Sequence, residues 1–142
     1  MRFAQAPLRI VLCNGCFDLL HAGHLRHLKE ARAMGDFLAV GLTMDQYVLK
    51  GSGRPIMPEN ERMELLYGLR CVDAVTLCKN SLEALEEWQP AVFVKGHDRK
   101  IIGLLPQEMK YCEEHGIEVR FTKYNPQHTH DFIKRMRQCE FA

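Results

Sequence analysis

The chain has 142 residues, with 19 Lys or Arg against 18 Asp or Glu and a formal net charge of +1. That near balance argues against bulk attraction to nucleic acid or to an anionic membrane. Its 46% apolar and 26% charged residues are those of a chain that buries one ordinary core, and no apolar run approaches the ~20 residues that span a bilayer. The opening Met1-Arg-Phe-Ala-Gln-Ala-Pro7 lacks the long apolar stretch of a secretory signal. A cytoplasmic protein with a single domain over 1–142 is expected.

The first predicted element is an apolar strand over 9–13. It hands over, through Asn14-Gly-Cys-Phe-Asp18 and His21-Ala-Gly-His24, to a predicted helix over 25–34, after which Gly35 stands where a left-handed cap is wanted. A second strand is expected over 37–43, followed by a glycine-interrupted loop holding Lys50 and Arg54. Met63, Leu66 and Tyr67 lie at helical spacing in a predicted helix over 60–69, with Pro58 as an early helical residue. Strand 74–78 leads to Ser81 as the N-cap of helix 81–88. Strand 91–95 ends at Lys95-Gly-His-Asp98, and a helix over 105–115 closes at Gly116. Strand 118–122, the segment 124–130 and a final helix over 131–138 complete the series.

Five short strands alternating with five helices, without repeats or low-complexity linkers, predict a Rossmann-like, doubly wound parallel sheet of about five strands with flanking helices. Most of the strands are continuously apolar, as strands covered on both faces are. Ligands of such folds bind beyond the carboxyl ends of the strands, and the chemically distinctive segments all fall there. The first is the most informative. A strand-to-helix turn exposes the unpaired N–H groups of a helix start, which favour an anion. His21 and His24 add two donors at that spot, and Gly23 removes the side chain that would hold a ligand off the backbone. His27 continues the row and is expected on the surface one helical turn further on.

Six cysteines are scattered along the chain, several inside predicted elements, which is no disulfide framework. Cys13 reads as a buried strand residue and Cys16 as a small turn residue. A competing reading makes Cys13, Cys16, His21, His24 and His27 a metal or redox module. Zinc needs four converging ligands, however, and a strand residue such as Cys13 should point into the sheet's packing.

Taken together, Asn14-Gly-x-Phe-Asp18 and His21-x-Gly-His24 resemble the signature of the cytidylyltransferase-like nucleotidyltransferases of the His-x-Gly-His type. The resemblance extends over about 8–137. Lys50-Gly-Ser-Gly-Arg-Pro55, Pro58, Glu61-Arg-Met63, Val72-Asp73 and Val94-Lys-Gly96 with Asp98 are similar to the heptose 1-phosphate adenylyltransferase branch. The glycerol-3-phosphate cytidylyltransferases come second, and usually carry Thr where this chain has Cys16.

The resemblance implies transfer of a nucleoside monophosphate from ATP, or alternatively CTP, to a small phosphorylated acceptor. The donor is expected to bring Mg²⁺, and a homodimer is expected by family analogy. It implies catalytic roles for His21, His24 and Lys50, and nucleotide contacts from Gly15, Cys16, Phe17, His21, Gly23, His24, Arg54, Gly96, Asp98 and Thr129. Asp18, Lys50 and Arg62 are expected at the acceptor, and no metal site is expected in the protein itself. Two departures stand out. His97 replaces a usual Gly, and Gln127-His-Thr-His130 replaces a Ser/Thr-rich stretch at the last helix, retaining only Thr129. The change at Gln127–His130 keeps open a nucleotide-binding module of the same fold that has lost catalysis.

Overall fold

Alternation along the first strand sends Val11 and Cys13 to one face of a sheet and Leu12 to the other, and all three are fully buried. Both faces must therefore be covered. A computed structural model describes residues 6–123 and 128–139. In it β1 (Ile10–Gly15), β2 (Phe37–Thr43), β3 (Ala74–Cys78), β4 (Val92–Lys95) and β5 (Glu118–Phe121) form one sheet in the order β3-β2-β1-β4-β5. Every pairing is parallel. The order reverses between β1 and β4, which opens a crevice at their carboxyl ends.

Helices α1 (Ala22–Arg32) and α2 (Glu59–Tyr67) cover one face, and α3 (Ser81–Trp88) and α5 (Pro106–His115) the other. Leu28 and Ala31 of α1 and Leu66 of α2 pack with Val11, Val40 and Val94. Ala84 and Leu85 of α3 and Cys112 of α5 pack with Leu12, Ala39 and Phe93. Truncating one fully buried leucine such as Leu28 to Ala costs about 2–5 kcal/mol in sites of this kind. Asn14 ties three strands together by donating its Nδ2 to the Gly41 carbonyl at 2.9 Å and to Cys78 Sγ at 3.3 Å.

The expected strands and the doubly wound class are present. Several local expectations need correction. Asn80 caps α3, its Oδ1 accepting the Glu83 N–H at 2.9 Å, whereas Ser81 is the first helical residue and is buried against Glu108. Gly35 forms no left-handed cap. It is required because a Cβ there would sit 2.6 Å from the Arg9 carbonyl oxygen and 2.7 Å from Val11 Cγ2. Gly116 does adopt the left-handed cap, with φ 63°. Pro58 is the N-cap of α2 with extended ψ, just outside the helix. A short helix α4 (His97–Ile102) was not expected; its Ile101 and Ile102 are exposed, so no buried periodicity announced it. The final helix α6 (Thr129–Gln138) begins two residues before the expected start.

Candidate active site

The turn leaving β1 is built against its own local preference. Phe17 (φ 48°) and Leu19 (φ 52°) are both left-handed, a conformation costing non-glycine residues about 1–2 kcal/mol each. The surroundings hold the turn in place. Arg62, fully buried in α2, donates Nη1 to the carbonyls of Cys16 at 2.7 Å and Thr43 at 2.9 Å. Its Nε reaches the Met57 carbonyl at 3.0 Å, and Nη2 reaches Asp45 at 2.6 Å. One guanidinium thus joins the exits of β1 and β2 to the entrance of α2.

Asp18 is the second anchor. Its carboxylate accepts from Arg54 Nε and the Ile56 N–H, both at 2.8 Å, and from the Met57 N–H at 3.0 Å. Burial raises its pKa, but these hydrogen bonds and the Arg54 charge outweigh that effect and hold it below the usual carboxylate range. The Asp18 carbonyl in turn accepts the Thr129 hydroxyl at 3.0 Å. The 54–57 segment and α6 are therefore both fastened to the β1 turn.

Helix α1 starts at Ala22 rather than at 25 because imidazoles supply its cap. The N-cap His21 accepts the Gly23 N–H through Nδ1 at 3.0 Å, and His24 Nδ1 accepts the His21 N–H at 3.3 Å. With both Nδ1 atoms accepting, each neutral ring carries its proton on Nε2. The rings stack with centroids 3.9 Å apart; Phe17 meets His24 edge-on at 5.4 Å, and Phe132 of α6 lies 5.1 Å from His21. Burial, then the neighbouring charges of His21 and Lys50, push His24 down to about 3. Burial and His128 lower His21 as well. Among the described residues, His21 Nε2 and Arg54 Nη2 are buried with no hydrogen-bond partner.

Across the crevice, Cys13 of β1 pairs with Val94 of β4; Gly15 ends β1, and Gly96, just past β4, is the N-cap of α4. The floor between these ends is flanked by the Phe17 ring, 3.0 Å from where a Cβ on Gly15 would sit. A Cβ on Gly96 would lie 2.8 Å from Asp98 Oδ1, which sets Asp98 beside that floor. Lys95, at the end of β4, is held by the buried Glu108 at 3.1 Å. Glu108 also accepts from the Ser81 hydroxyl at 2.5 Å and the Leu105 N–H at 3.2 Å.

The structure gathers Gly15, Cys16, Phe17, Gly23, His21, His24, Arg54 and Thr129 around the β1 turn, with Lys50 exposed at the rim. Asp18 and Arg62, expected at an acceptor, are not exposed. Both are buried and commit their polar atoms to protein partners, Asp18 as a loop anchor and Arg62 as a strut. His27 is not a surface residue either: its Nδ1 lies 2.8 Å from Thr122 Oγ1, and burial lowers its pKa. Gln127 lies outside the described residues. His128 takes the N-cap position of α6 without a side-chain bond, and Thr129 follows it as the first helical residue.

The metal or redox reading does not fit the geometry. Cys13 is enclosed in the core, where burial pushes its thiol up to about 12, and burial raises Cys16 too. Among the described residues no three His, Cys, Asp or Glu side chains converge as a metal site would require. Sequence reasoning missed Phe132, which backs His21. Its spacing of three residues from Thr129, on the same helical face, was the available signal.

A parallel sheet with a capped imidazole pair at its first carboxyl end defines an α/β protein of the His-x-Gly-His kind. The chain belongs to the cytidylyltransferase-like family, which it matches over residues 12–134. It is 44% identical over 105 residues to the bifunctional protein HldE of Citrifermentans bemidjiense, covering 71% of this chain and 22% of that protein. It is 39% identical over 120 residues to the bifunctional protein HldE of Geobacter sulfurreducens, covering 82% of this chain and 24% of that protein. The chain thus spans less than a quarter of these relatives' length. Among solved structures, a lipopolysaccharide core biosynthesis protein from Thermoplasma volcanium superposes with TM-score 0.68 at 31% identity, covering 84% of this chain and all of that one. A pantoate-beta-alanine ligase from Francisella tularensis, at 13% identity and TM-score 0.54 over 84% of this chain and 61% of that one, shares the fold.

Proposed function

We propose that this chain is a nucleotidyltransferase. It moves the nucleoside monophosphate of ATP, or alternatively CTP, onto a small phosphorylated acceptor such as a sugar or polyol phosphate, and releases pyrophosphate. The observation that carries this reading is the pair of buried polar atoms, His21 Nε2 and Arg54 Nη2, left without partners at the β1 turn. A buried donor without an acceptor costs about 1–3 kcal/mol, and an incoming phosphate oxygen removes that penalty. The family match and the similarity to HldE proteins support the same class of reaction.

In this reaction an oxygen of the acceptor phosphate attacks the α-phosphorus. The bond from that phosphorus to the bridging oxygen breaks, and its electron pair leaves with pyrophosphate. The nucleophile is already an anion, so no catalytic base is needed; the barrier lies in bringing two polyanions together. The protein's contribution is therefore positioning and preorganised donors. His21 and His24 present Nε2–H to phosphate oxygens, the positive end of α1 adds to them, and Lys50 closes from the rim. Gly15 and Gly96 let the nucleoside approach the main chain, with Asp98 placed for its hydroxyls. Mg²⁺ would come with the nucleotide substrate and supply neutralisation of its phosphate charge.

The motifs around Lys50 and Val94 favour ATP. A nucleotide-by-acceptor screen monitored by pyrophosphate release tests the whole reading. Turnover with ATP and a sugar or polyol phosphate is expected, whereas tight nucleotide binding without turnover across the panel would replace it with a binding module. We also propose a cytoplasmic homodimer, for which sedimentation of the purified protein should give twice the chain mass.

A further inference from the structure

A chain with almost equal numbers of acids and bases nonetheless concentrates cations in one groove. The groove, of about 560 Å³, lies between the 50–56 loop and α6. Lys50, Arg54, Lys134 and Arg137 line it together with Ile56 and Ile133, and no carboxylate does. Arg54 is balanced by Asp18 at 2.8 Å. Among the described residues Lys50, Lys134 and Arg137 enter no ion pair. Three uncompensated cations facing one space repel one another, and an anion relieves that repulsion.

The groove is continuous with the site above but extends beyond it. Thr129 and Phe132 hold the start of α6 against Asp18 and His21. Lys134 and Arg137 follow Thr129 by five and eight residues, which at the helical rise sets them about 7.5 and 12 Å further along the axis. Arg54 stands at the junction, with Nε on Asp18 and Nη2 unpartnered. Ile56 and Ile133 provide apolar wall between the charges, suited to a short carbon skeleton.

We propose that this groove is the subsite for a second anionic group on the acceptor, a phosphate or carboxylate separate from the phosphate that reacts. The inference rests on the nucleotidyltransferase reading. On it, the acceptor lies with its reacting phosphate toward His21 and its second anion between Lys134 and Arg137. The acceptor class is therefore a sugar or sugar acid that carries a second anionic group apart from its reacting phosphate, rather than a simple monophosphate.

The test compares three acceptors on one ring, glucose 1-phosphate, glucose 1,6-bisphosphate and glucuronic acid 1-phosphate, each with ATP and with CTP. At least one doubly anionic compound should exceed glucose 1-phosphate by about ten-fold or more in kcat/KM, as a well-placed charge contact provides. The bisphosphate winning identifies a phosphate subsite, and the uronate winning a carboxylate subsite. Lys134→Gln combined with Arg137→Gln should bring that ratio close to one, with the nucleotide KM shifting less than about two-fold. Equal use of all three acceptors overturns the proposal. So does a double variant that raises the nucleotide KM and keeps the acceptor ratio, because the groove then holds the triphosphate. Absence of turnover with every pair counts against the nucleotidyltransferase reading instead. The groove is then judged by calorimetric binding of the same three compounds to the protein saturated with a non-hydrolysable ATP analogue. Tighter binding of a compound with two anionic groups than of glucose 1-phosphate, lost in the double variant, sustains the subsite, and equal or no binding overturns it.

Discussion

The imidazoles of His21 and His24 stack 3.9 Å apart while the Nδ1 atom of each accepts a backbone N–H from the first turn of the same helix. Capping thereby takes one nitrogen of each ring and leaves the other, Nε2, for the proposed donation to phosphate. The two roles separate by mutation. His21→Asn keeps a cap acceptor and loses the Nε2–H, so it should lower kcat by about 10²–10³ while leaving the thermal midpoint almost unchanged. His21→Ala should lose the same activity and also about 1 kcal/mol of stability. Pyrophosphate release and thermal denaturation check the pair, and near-normal turnover in His21→Asn would sink the site.

Protonating either ring at Nδ1 removes its acceptor, so acid attacks the start of α1 directly. His24 is held down to about 3, well below its unfolded value. Between that unfolded value, near 6.5, and about 3, the unfolded chain takes up a proton that the folded chain refuses. Stability contributed by His24 is therefore complete above pH 6.5 and is lost as pH falls through that window. Nitrogen-15 spectra of the imidazole should show His24 still neutral at pH 5. A midpoint near 6.5 would mean that the cap is open.

Asp18→Asn places an amide where three donors converge, and should release the 54–57 segment. Proteolysis within 50–54 should accelerate, and the nucleotide and acceptor KM values should both rise, because Arg54 loses its support. In the native protein the lowered Asp18 pKa gives stability that is present above about pH 3.9 and lost as pH falls through the folded value. Urea titrations between pH 5 and 2 should show a shallower decline in Asp18→Asn.

Arg62→Met fits the volume of the buried side chain but leaves three carbonyls and Asp45 without their donor. A loss of about 3–5 kcal/mol is expected, read from urea unfolding. Arg62→Lys restores the charge without the fork, and should recover only part of it. A loss below about 1 kcal/mol in Arg62→Met would show that the strut is dispensable.

Burial pushes the Cys13 and Cys78 thiols up to about 12, so neither supplies thiolate near neutral pH. Alkylation of the folded protein at pH 7.5 should label the exposed Cys139 first and leave turnover unchanged. Rapid labelling of Cys13 would contradict the packing of β1.

What was legible in the sequence followed from short-range pattern. The runs that became β2 and β3 were readable because strands covered on both faces are continuously apolar, and the position of His21 and His24 after β1 followed from chain order. The roles of Arg62 and Asp18 were not legible. Arg62 acts on Cys16, 46 residues away, and Asp18 acts on Ile56 and Met57; neither spacing leaves a periodic trace. The start of α1 was misplaced because histidine is an uncommon cap. Helix α4 was missed because its two isoleucines face solvent.

Arg62 holds main-chain oxygens at Cys16, Thr43 and Met57 and also touches Cys16 Sγ, so at Thr43 and Met57 its hold on the frame does not depend on which side chains those positions carry. The frame of the crevice is written in backbone, while its lining is written in side chains. A substitution at 43 or 57 can leave the bonds of the frame in place. The frame can in this way persist while the side chains at those two positions vary.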